Sequence, residues 1–418
     1  MTLDCDIAIV GGGAAGLAAA CAAARGGRVM LLERGDRVGR KLLVTGNGKC
    51  NLTNTHAAQD AHTYYGAPPA QIADVLHRCP PEAVLRFFRS IGLLTRTDAE
   101  GRVYPYSEQA AAVLDVLRAA AAEHGVQARC GFDAAAIEPH GAHGFAVHSR
   151  SGETVTARAV IAACGGPAAP ANGGTDAGLA LLCPLGHTGT PFRPALVPLR
   201  TDALRTRPLK GVRVKCAVAL QSGGQTLRRE LGELQFGDGL LSGICVFQLS
   251  RLAGDAVSHG RSPELVLDLL PELTARESDA LLRGRVRALR DRPAEAFFTG
   301  VLPKKIGGEL LRAAVPDWPN RVVGSFTDAE VAALARLCRD WRFPVHGTGA
   351  FAAAQVSAGG LRLSEFAPDT MMSRKVPGLF AVGELLNVDG ICGGYNLQWA
   401  WCTGLLAGRA AAAYCRIH

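Results

Sequence analysis

The sequence lacks the features that mark several common classes of protein. No apolar run is long enough to cross a bilayer, and the first residues, which include two acids, do not form a signal peptide. The 13 cysteines are odd in number and include no Cys-x-x-Cys pair, which argues against a disulfide scaffold, a zinc ribbon and a thioredoxin-type centre. The 11 histidines show no metal-ligand spacing, and there is no Gly-x-Ser-x-Gly motif. We expect a cytoplasmic protein with reduced cysteines, no metal site and no membrane segment.

Aromatic residues are also scarce, at 6%, but hydrophobic residues reach 48% and charged residues 20%, which is the composition of a globular protein. A chain of 418 residues predicts two or three domains. The net charge of +8 is unevenly distributed. Residues 191–345 hold 24 Lys and Arg against 17 Asp and Glu, a balance of +7, and the rest holds 21 against 20, a balance of +1. Almost all the excess positive charge therefore lies in the middle of the chain.

The N-terminal end carries a dinucleotide-binding pattern in its required context. An apolar strand predicted at 4–10 leads into GGGAAG at 11–16 and then into a predicted helix at 17–25. A second predicted strand at 28–32 ends at Glu33. The order of strand, glycine turn, helix, strand and acid predicts the first half of a Rossmann-type fold.

Each part of this pattern has a physical task. Gly11 makes the turn, Gly13 lets a pyrophosphate approach the backbone, and Gly16 lets the helix pack on the strands. The helix N-terminus presents free N–H groups to the phosphates. Glu33 is placed to accept a hydrogen bond from a ribose hydroxyl.

A second glycine-rich segment, GRKLLVTGNGKCNLTN at 39–54, favours FAD over NAD. Its glycines and small polar residues suit a loop that wraps a ligand closely with backbone N–H groups. Arg40 and Lys41 add positive charge near the pyrophosphate. The segment is not a Walker A loop, because Cys50 stands where a Ser or Thr would bind magnesium.

A third segment lies near the C-terminus. Residues 375–384 predict a turn, a strand and a Gly-Glu pair, and residues 389–401 lead through Gly393-Gly394 into an apolar helix that ends near Tyr414. A Gly-Gly step that opens a helix directs N–H groups at an anion, and the N1–C2=O edge of a flavin becomes anionic on reduction. The two ends of the chain thus supply parts of one FAD site.

Together these segments predict the residues that bind FAD. They are Gly11, Gly13, Ala14, Ala15, Gly16, Glu33, Arg34, Gly39, Arg40, Lys41, Thr45, Gly46, Gly48, Cys50, Asn51, Gly165, Gly383, Glu384, Gly394, Tyr395 and Asn396. Only one complete dinucleotide fingerprint is present, since Gly347-Thr-Gly349 lacks the third glycine. NADH or NADPH is therefore predicted as a transient reductant without a Rossmann domain of its own.

The sequence resembles the flavoproteins called BaiN/YhiN-like, also known as the aminoacetone oxidase family. The resemblance runs essentially from end to end and rests on GGGAAG at 11–16, GRKLLVTGNGKCNLTN at 39–54, ACGGPAAPANGGTDAG at 163–178 and GELLNVDGICGGYNLQWAWCTG at 383–404. It implies bound FAD and an α/β architecture in which a discontinuous Rossmann-like FAD-binding domain carries an inserted β-barrel domain with a small helical subdomain. Residues 236–244 lack the His and Pro of the Thr-His-x-Gly-x-Ser-Gly-Pro stretch of many relatives, so the resemblance assigns that loop no substrate role.

The middle of the chain agrees with this division by pattern. Short alternating runs such as 212–220 suit strands, and 277–290 and 328–338 predict helices. We therefore assign 1–190 to the first part of the FAD-binding domain, 191–345 to the inserted domain with its helical subdomain at about 271–340, and 346–418 to the return to the barrel and the second part of the FAD-binding domain.

Two residues are candidates for a proton donor beside the flavin, which exchanges hydride at N5. Cys50 is one, although we favour its alternative role as a small residue packed against the ring. Tyr395 is the other, and its alternative role is to hydrogen-bond the cofactor at the helix start. No second cysteine follows Cys50 five residues on, which argues against a redox-active disulfide of the glutathione-reductase type. Cys392 and Cys402 are predicted to be packing residues.

Three reactions remain open. The first, which the resemblance suggests and which we favour from the sequence, is NAD(P)H-fed hydride transfer from flavin N5 to uridine in large-subunit ribosomal RNA, which forms dihydrouridine. The second is the same hydride transfer to a small enone such as a bile-acid 3-oxo-4-ene, and the third is oxidation of a small amine by oxygen. A flavoprotein that binds a partner and keeps FAD as a structural prop is the non-enzymatic alternative.

Two basic clusters bear on the choice between these reactions. The first contains Arg193, Arg200, Arg205, Arg207, Lys210, Arg213 and Lys215, and the second contains Arg283, Arg285, Arg287, Arg290 and Arg292. Phosphate backbones bind such clusters, but a solvated surface accounts for them equally well. The predicted partners are ribosomal RNA through the inserted domain or otherwise a small-molecule substrate, and the oligomeric state stays open.

Overall fold

The computed structural model describes residues 3–141 and 144–417 and divides into two compact units. One unit contains the described residues up to Pro194 and from Phe351 onward, and the other contains Ala195–Ala350. The divisions assigned from the sequence, after residues 190 and 345, lie a few residues earlier in the chain.

The elements are numbered along the chain. The helices are α1 (Ala14–Ala23), α2 (Pro69–Arg78), α3 (Pro81–Ser90), α4 (Ala110–Glu123), α5 (Ala177–Leu182), α6 (Ala203–Thr206), α7 (Ile244–Ser258), α8 (Ala275–Ala288), α9 (Lys304–Ala314), α10 (Asp328–Arg339) and α11 (Tyr395–Ile417). The strands are β1 (Cys5–Val10), β2 (Val29–Glu33), β3 (Thr53–Asn54), β4 (Tyr64–Tyr65), β5 (Thr95–Thr97), β6 (Arg102–Pro105), β7 (Gln127–Cys130), β8 (Ala134–His140), β9 (Gly144–Ser149), β10 (Thr154–Ala162), β11 (Gly189–Ala195), β12 (Leu199–Arg200), β13 (Arg213–Ser222), β14 (Gln225–Phe236), β15 (Leu240–Ser242), β16 (Glu264–Asp268), β17 (Trp341–Pro344), β18 (Gly347–Thr348), β19 (Val356–Leu361), β20 (Leu379–Ala381) and β21 (Asp389–Gly390).

The first unit is organised around a sheet whose central strands run parallel. Its order is β7-β2-β1-β10-β9-β8, with β20 paired to the end of β10. The pairs from β7 through β10, and β10 with β20, are parallel, whereas β9 and β8 continue the sheet antiparallel. β1 and β20 are almost wholly buried, as the near-continuous apolar sequence of central parallel strands requires. The carboxyl ends of these strands lie together along one side of the sheet.

Helix α1 and the C-terminal helix α11 pack through small residues. A Cβ at Gly404 would overlap the carbonyl oxygen of Ala15, and a Cβ at Gly408 would overlap that of Ala19. Because glycine lacks this atom, the two helix backbones approach closely. This contact joins the two ends of the chain in one unit.

The second unit combines an antiparallel sheet of order β17-β16-β13-β14-β15-β12-β18 with helices α6 to α10. β13 overlaps the strand predicted at 212–220, α8 overlaps the helix predicted at 277–290, and α10 covers the helix predicted at 328–338. Both of these helices begin with a capping box, formed by Thr274 with Glu277 and by Thr327 with Glu330. The sheet order is an open path from β17 to β18, so closure into a barrel stays a prediction.

Smaller sheets join β11 to β19, β21 to β4, and β3, β6 and β5 to one another. Over residues 3–141 and 144–417, no helix combines the length and the apolar composition that a membrane crossing needs.

Candidate functional site

A cavity of about 440 Å³ lies at the carboxyl ends of the parallel strands in the first unit. Its wall includes residues at or just after the ends of β1, β2, β10 and β20, namely Gly11, Glu33, Ala163 and Val382. Open α/β sheets bind ligands at this place, because the loops that follow neighbouring strands diverge there. The cavity is therefore the candidate ligand site.

The turn after β1 combines two tight contacts with one open approach. Gly11 has a φ of +109°, and a Cβ there would overlap the carbonyl oxygen of Ala163. A Cβ on Gly16 would overlap the carbonyl oxygen of Gly11, so Gly16 brings α1 close to the turn. By contrast, nothing lies within 4 Å of a Cβ built on Gly13, which lines the cavity. α1 starts there without a side-chain cap or an acidic residue in its first turn, which leaves its first N–H groups free for an anion.

Glu33 ties this turn to the end of β2. Its Oε2 accepts the N–H of Gly12 at 2.7 Å, and its Oε1 accepts the N–H of Gly35 at 2.7 Å. Each carboxylate oxygen has a second lone pair, so both bonds are compatible with the predicted contact to a ribose hydroxyl.

An ion pair on the cavity wall joins segments that are far apart in the chain. Lys41 Nζ lies 2.6 Å from Glu384 Oε2, and the two side chains are 26% and 21% exposed. Glu384 Oε1 accepts the N–H of Ser357 at 2.7 Å, and Ser357 Oγ accepts the N–H of Ala168 at 2.9 Å. The segments at 39–54, 163–178 and 383–404 therefore meet at one place.

The segment after Lys41 turns sharply before it reaches Cys50. Gly46 and Asn47 have φ values of +55°, and Cys50 has a φ of +56°. The Cys50 side chain is fully buried and lies off the cavity wall, and burial raises the pKa of its thiol to about 12. This placement favours the packed role of Cys50 over that of a proton donor.

Helix α11 begins beside the cavity. Tyr395 is buried, its carbonyl oxygen accepts the Tyr64 hydroxyl at 3.1 Å, and burial raises the pKa of its phenol. Tyr395 lies off the cavity wall, whereas Asn396 lies on it and accepts the N–H of Gly390 at 2.8 Å. The first turn of α11 thus fixes the preceding loop, and the position of Tyr395 favours a structural role.

The structure brings most of the predicted residues to one wall. On the wall are Gly11, Gly13, Ala14, Ala15, Glu33, Arg34, Gly39, Arg40, Lys41, Thr45, Gly165, Gly383, Glu384 and Asn396. Off the wall are Gly16, Gly46, Gly48, Cys50, Asn51, Gly394 and Tyr395.

Sequence reasoning missed part of the wall, including Gly12, Gly35, Arg37, Phe132, Asp133, Ala134, Cys164, Gln355 and Trp399. Gly12 lies inside the glycine fingerprint, and Cys164 lies inside the motif at 163–178, so the sequence could have identified both as site residues. Residues 132–134 belong to no motif. They reach the cavity because β7 pairs with β2, which brings the N–H of Phe132 to the carbonyl oxygen of Glu33 at 2.9 Å.

The residues present suit a flavin dinucleotide. The open approach at Gly13 suits a pyrophosphate, and Glu33 suits a ribose. Near the start of α11, Asn51 Oδ1 is buried without a hydrogen-bond partner among the described residues, and Gly394 beside it has no side chain. A buried acceptor without a donor is costly, but Asn51 lies off the cavity wall, so we assign it no contact with the cofactor. Elsewhere in the described ranges, no group of three or more His, Cys, Asp or Glu is arranged to hold a metal ion.

The parallel strand order, the glycine turn and the acid at the end of β2 define a Rossmann-type FAD-binding α/β fold with mixed sheets. A family model described as "HI0933-like protein Rossmann domain" matches residues 5–410, so the chain belongs to the HI0933-like family. This match confirms the resemblance to the BaiN/YhiN-like flavoproteins. The protein is an FAD-dependent oxidoreductase.

Two curated relatives are similar over nearly their whole length. The 3-dehydro-bile acid delta(4,6)-reductase of Clostridium scindens is 40% identical over 97% of this chain and 98% of its own. The ribosomal RNA dihydrouridine synthase of Escherichia coli is 29% identical over 95% of each chain.

Solved structures share the fold at low sequence identity. The 3-ketosteroid-delta4-(5alpha)-dehydrogenase of Rhodococcus jostii aligns with a TM-score of 0.50 at 16% identity, over 99% of this chain and 98% of that one. The 3-ketosteroid delta1-dehydrogenase of Sterolibacterium denitrificans aligns with a TM-score of 0.51 at 15% identity, over 98% of this chain and 99% of that one. At this level of identity the likeness shows the fold alone.

Proposed function

We propose that this protein uses NADH or NADPH to reduce a conjugated C=C bond in a small enone of the 3-oxo-4-ene class. The observation that carries the proposal is a cavity with a glycine turn and an acid suited to a dinucleotide, at the ends of β1, β2, β10 and β20, in a chain 40% identical to a bile acid reductase. Reduction of uridine in ribosomal RNA is the second candidate, because two less similar relatives are named ribosomal RNA dihydrouridine synthases.

In this proposal the two ends of the chain hold FAD. The N-terminus of α1 at Gly13 binds the pyrophosphate, and Glu33 accepts a ribose hydroxyl. From the C-terminal part of the chain, Glu384 and Asn396 line the same cavity. When bound, FAD supplies hydride exchange at N5, which lets a nicotinamide and an enone react in turn.

The chain's own residues orient and polarise the bound molecules. Gly393 and Gly394 have φ values of +115° and +99° and lead into the 23-residue helix α11. The positive end of this helix dipole stabilises negative charge that develops nearby. An enone that accepts hydride at its β-carbon also takes a proton at its α-carbon. Because Cys50 and Tyr395 lie off the cavity wall, we propose neither of them as the proton donor.

The contacts of α8 favour a small substrate over RNA. Arg283 lies 2.8 Å from Asp279 and 2.6 Å from Asp328, so two carboxylates compete with a phosphate for its guanidinium. Arg285 donates to two main-chain carbonyl oxygens at 2.6 and 2.8 Å. Two members of this basic cluster therefore serve the packing of the second unit.

A specific feature supports RNA as the second candidate. The exposed residues of the other cluster within the second unit include Arg205, Arg207, Lys210, Arg213 and Lys215. Three of them form ion pairs at 3.3 to 3.8 Å, and exposed pairs of this kind contribute little and exchange readily for phosphates. Arg193, in contrast, belongs to the first unit.

Anaerobic stopped-flow absorbance tests the choice of substrate. The FAD-loaded protein would be reduced with NADH or NADPH and then mixed with a 3-oxo-4-ene steroid, with unmodified ribosomal RNA or with air. Rapid reoxidation by the steroid supports the proposal, whereas reoxidation by RNA with formation of dihydrouridine supports the second candidate. Fast reoxidation by air alone would indicate an oxidase, and a flavin that neither nucleotide reduces would contradict a reductase.

A charge variant separates the two candidates further. Replacing Arg205, Arg207 and Lys210 with Ala should leave steroid reduction unchanged. If RNA is the substrate, the same variant should lower RNA affinity and flatten its salt dependence.

A further inference from the structure

The loop at residues 170–174, here called the bridging loop, lines the cavity and is held by side chains that follow another strand of the sheet. It follows β10, and the sheet order places β1 between β10 and β2. Yet Arg34, directly after β2, donates from Nη2 to the carbonyl oxygen of Gly173 at 3.3 Å. The Arg34 side chain therefore connects the loop that follows β10 with the end of β2, two strands away in the sheet order. The glycine turn at 11–13 follows β1, the strand that lies between them.

A second arginine makes a parallel contact. Arg40 Nη2 donates to the carbonyl oxygen of Ala171 at 3.0 Å, and Arg40 Nη1 lies 3.6 Å from Asp36. Both arginines and the bridging loop line the same cavity. Two guanidinium groups on the β2 side thus hold a loop that comes from the β10 side.

The base of the bridging loop is anchored separately. The N–H of Ala169 donates to the carbonyl oxygen of Phe351 at 3.0 Å, and the N–H of Thr175 donates to that of Gly166 at 3.1 Å. The turn between these anchors has left-handed backbone conformations at both ends, with φ of +54° at Ala169 and +94° at Gly173. The loop is therefore fixed at one side and joined to the other side by arginine side chains.

We propose that Arg34 and Arg40 are positioning residues that hold the bridging loop over the pyrophosphate of FAD and thereby slow its release. The inference rests on the proposed FAD site. It assigns the arginines a role different from the predicted phosphate ligands, since each commits a donor to a loop carbonyl oxygen. The glycine turn and the bridging loop line one cavity, so a dinucleotide held at the turn would be released faster once the two arginine bonds to the loop are lost.

The test compares two variants of the FAD-loaded protein. In the first, Arg34→Met is combined with Arg40→Met, which keeps the apolar stems and removes the donors. The control is Arg89→Met, because Arg89 is exposed on α3, lies off the cavity wall and forms no hydrogen bond or ion pair with the bridging loop among the described residues. Release is measured as the exchange of isotopically labelled FAD for unlabelled FAD, and binding is measured by stopped-flow flavin fluorescence.

The double variant should exchange FAD about tenfold faster, which corresponds to about 1.4 kcal/mol, with an association rate within about twofold of the wild type. The Arg89→Met control should exchange FAD at the wild-type rate. Exchange unchanged in the double variant, or accelerated equally by the control, would overturn the inference.

A second measurement does not depend on FAD. Amide hydrogen exchange of residues 169–175 in the apoprotein should be faster in the double variant than in the wild type, because the loop loses its contacts to the β2 side. Unchanged amide hydrogen exchange would contradict the role of the two arginines in holding the bridging loop, even if FAD binds as proposed. A wild-type protein that binds no FAD would instead refute the proposed function itself.

Discussion

The glycine turn separates the needs of the fold from those of the cofactor, and two alanine substitutions test this separation. Gly13 and Gly16 belong to the same fingerprint, but their surroundings differ. A Cβ at Gly16 would overlap the carbonyl oxygen of Gly11, whereas a Cβ at Gly13 meets nothing within 4 Å. Gly16→Ala should therefore damage the folded apoprotein, and Gly13→Ala should damage cofactor binding.

The magnitude for Gly16→Ala follows from this overlap. The obstructing atom is backbone, which cannot rotate away as a side chain can, so the cost lies at the upper end for overpacked sites, at about 3 kcal/mol. For a unit of this size that loss lowers the melting temperature of the apoprotein by about 6–10 °C.

Gly13→Ala has a different balance. Its φ of −81° is allowed for alanine, and the reduced entropy of the unfolded chain offsets part of the poorer helix N-cap. The stability of the apoprotein should therefore change by less than about 1 kcal/mol. The added methyl group occupies the open approach to the turn, so FAD affinity should fall about a hundredfold, or by about 2.7 kcal/mol.

Thermal melts of apoprotein and FAD-loaded protein measure both effects. The wild type should gain stability from FAD, Gly13→Ala should lose most of that gain, and Gly16→Ala should start from a lower apoprotein melting temperature. A Gly13→Ala protein that binds FAD like the wild type would refute the placement of the pyrophosphate. A Gly16→Ala apoprotein as stable as the wild type would refute the argument from close packing.

Two further predictions concern titratable groups. Cys50→Ser should retain FAD and keep the rates of flavin reduction and substrate reduction within about twofold, because the buried thiol lies off the cavity wall. If Cys50 were the general acid, its loss would slow substrate reduction roughly 10²–10⁴-fold. The hydrogen bond from Arg321 lowers the pKa of Glu330 from 4.5 to about 2, so the stability from this pair is present above pH 4.5 and is lost as the pH falls towards 2. The melting temperature of Glu330→Gln should therefore fall less than that of the wild type when the pH is lowered from about 7 to about 3. Identical pH profiles of the two melting temperatures would contradict this prediction.

The candidate site was predictable from the sequence where it depends on local backbone chemistry. Gly11 has a φ of +109°, which side-chain-bearing residues rarely adopt, and Gly16 has no room for a Cβ. These two backbone requirements place glycines at a fixed spacing between a strand and a helix. Glu33 follows at the end of the next strand. The same reasoning found Lys41 and Glu384 on opposite ends of the chain, although only the structure shows their ion pair.

Which residues face the cavity was decided by the tertiary structure. Cys50 and Tyr395 belong to predicted cofactor segments, yet the left-handed turn before Cys50 and the packing of Tyr395 against Tyr64 place both off the wall. Phe132 carries no motif and reaches the wall through strand pairing. Sequence patterns report the conformation a residue needs, but not which side chain turns inward.

The basic residues show the same limit for charge. The sequence shows Arg283 as one of several arginines on a helix, but its partner Asp328 stands 45 positions later and begins another helix. The packing of α8 against α10 brings the two side chains together. The sequence alone shows the Arg283 charge without this partner. The backbone requirements that select glycine are local, so they can be recognised in the sequence. Burial and charge pairing depend on segments that meet only in the folded chain.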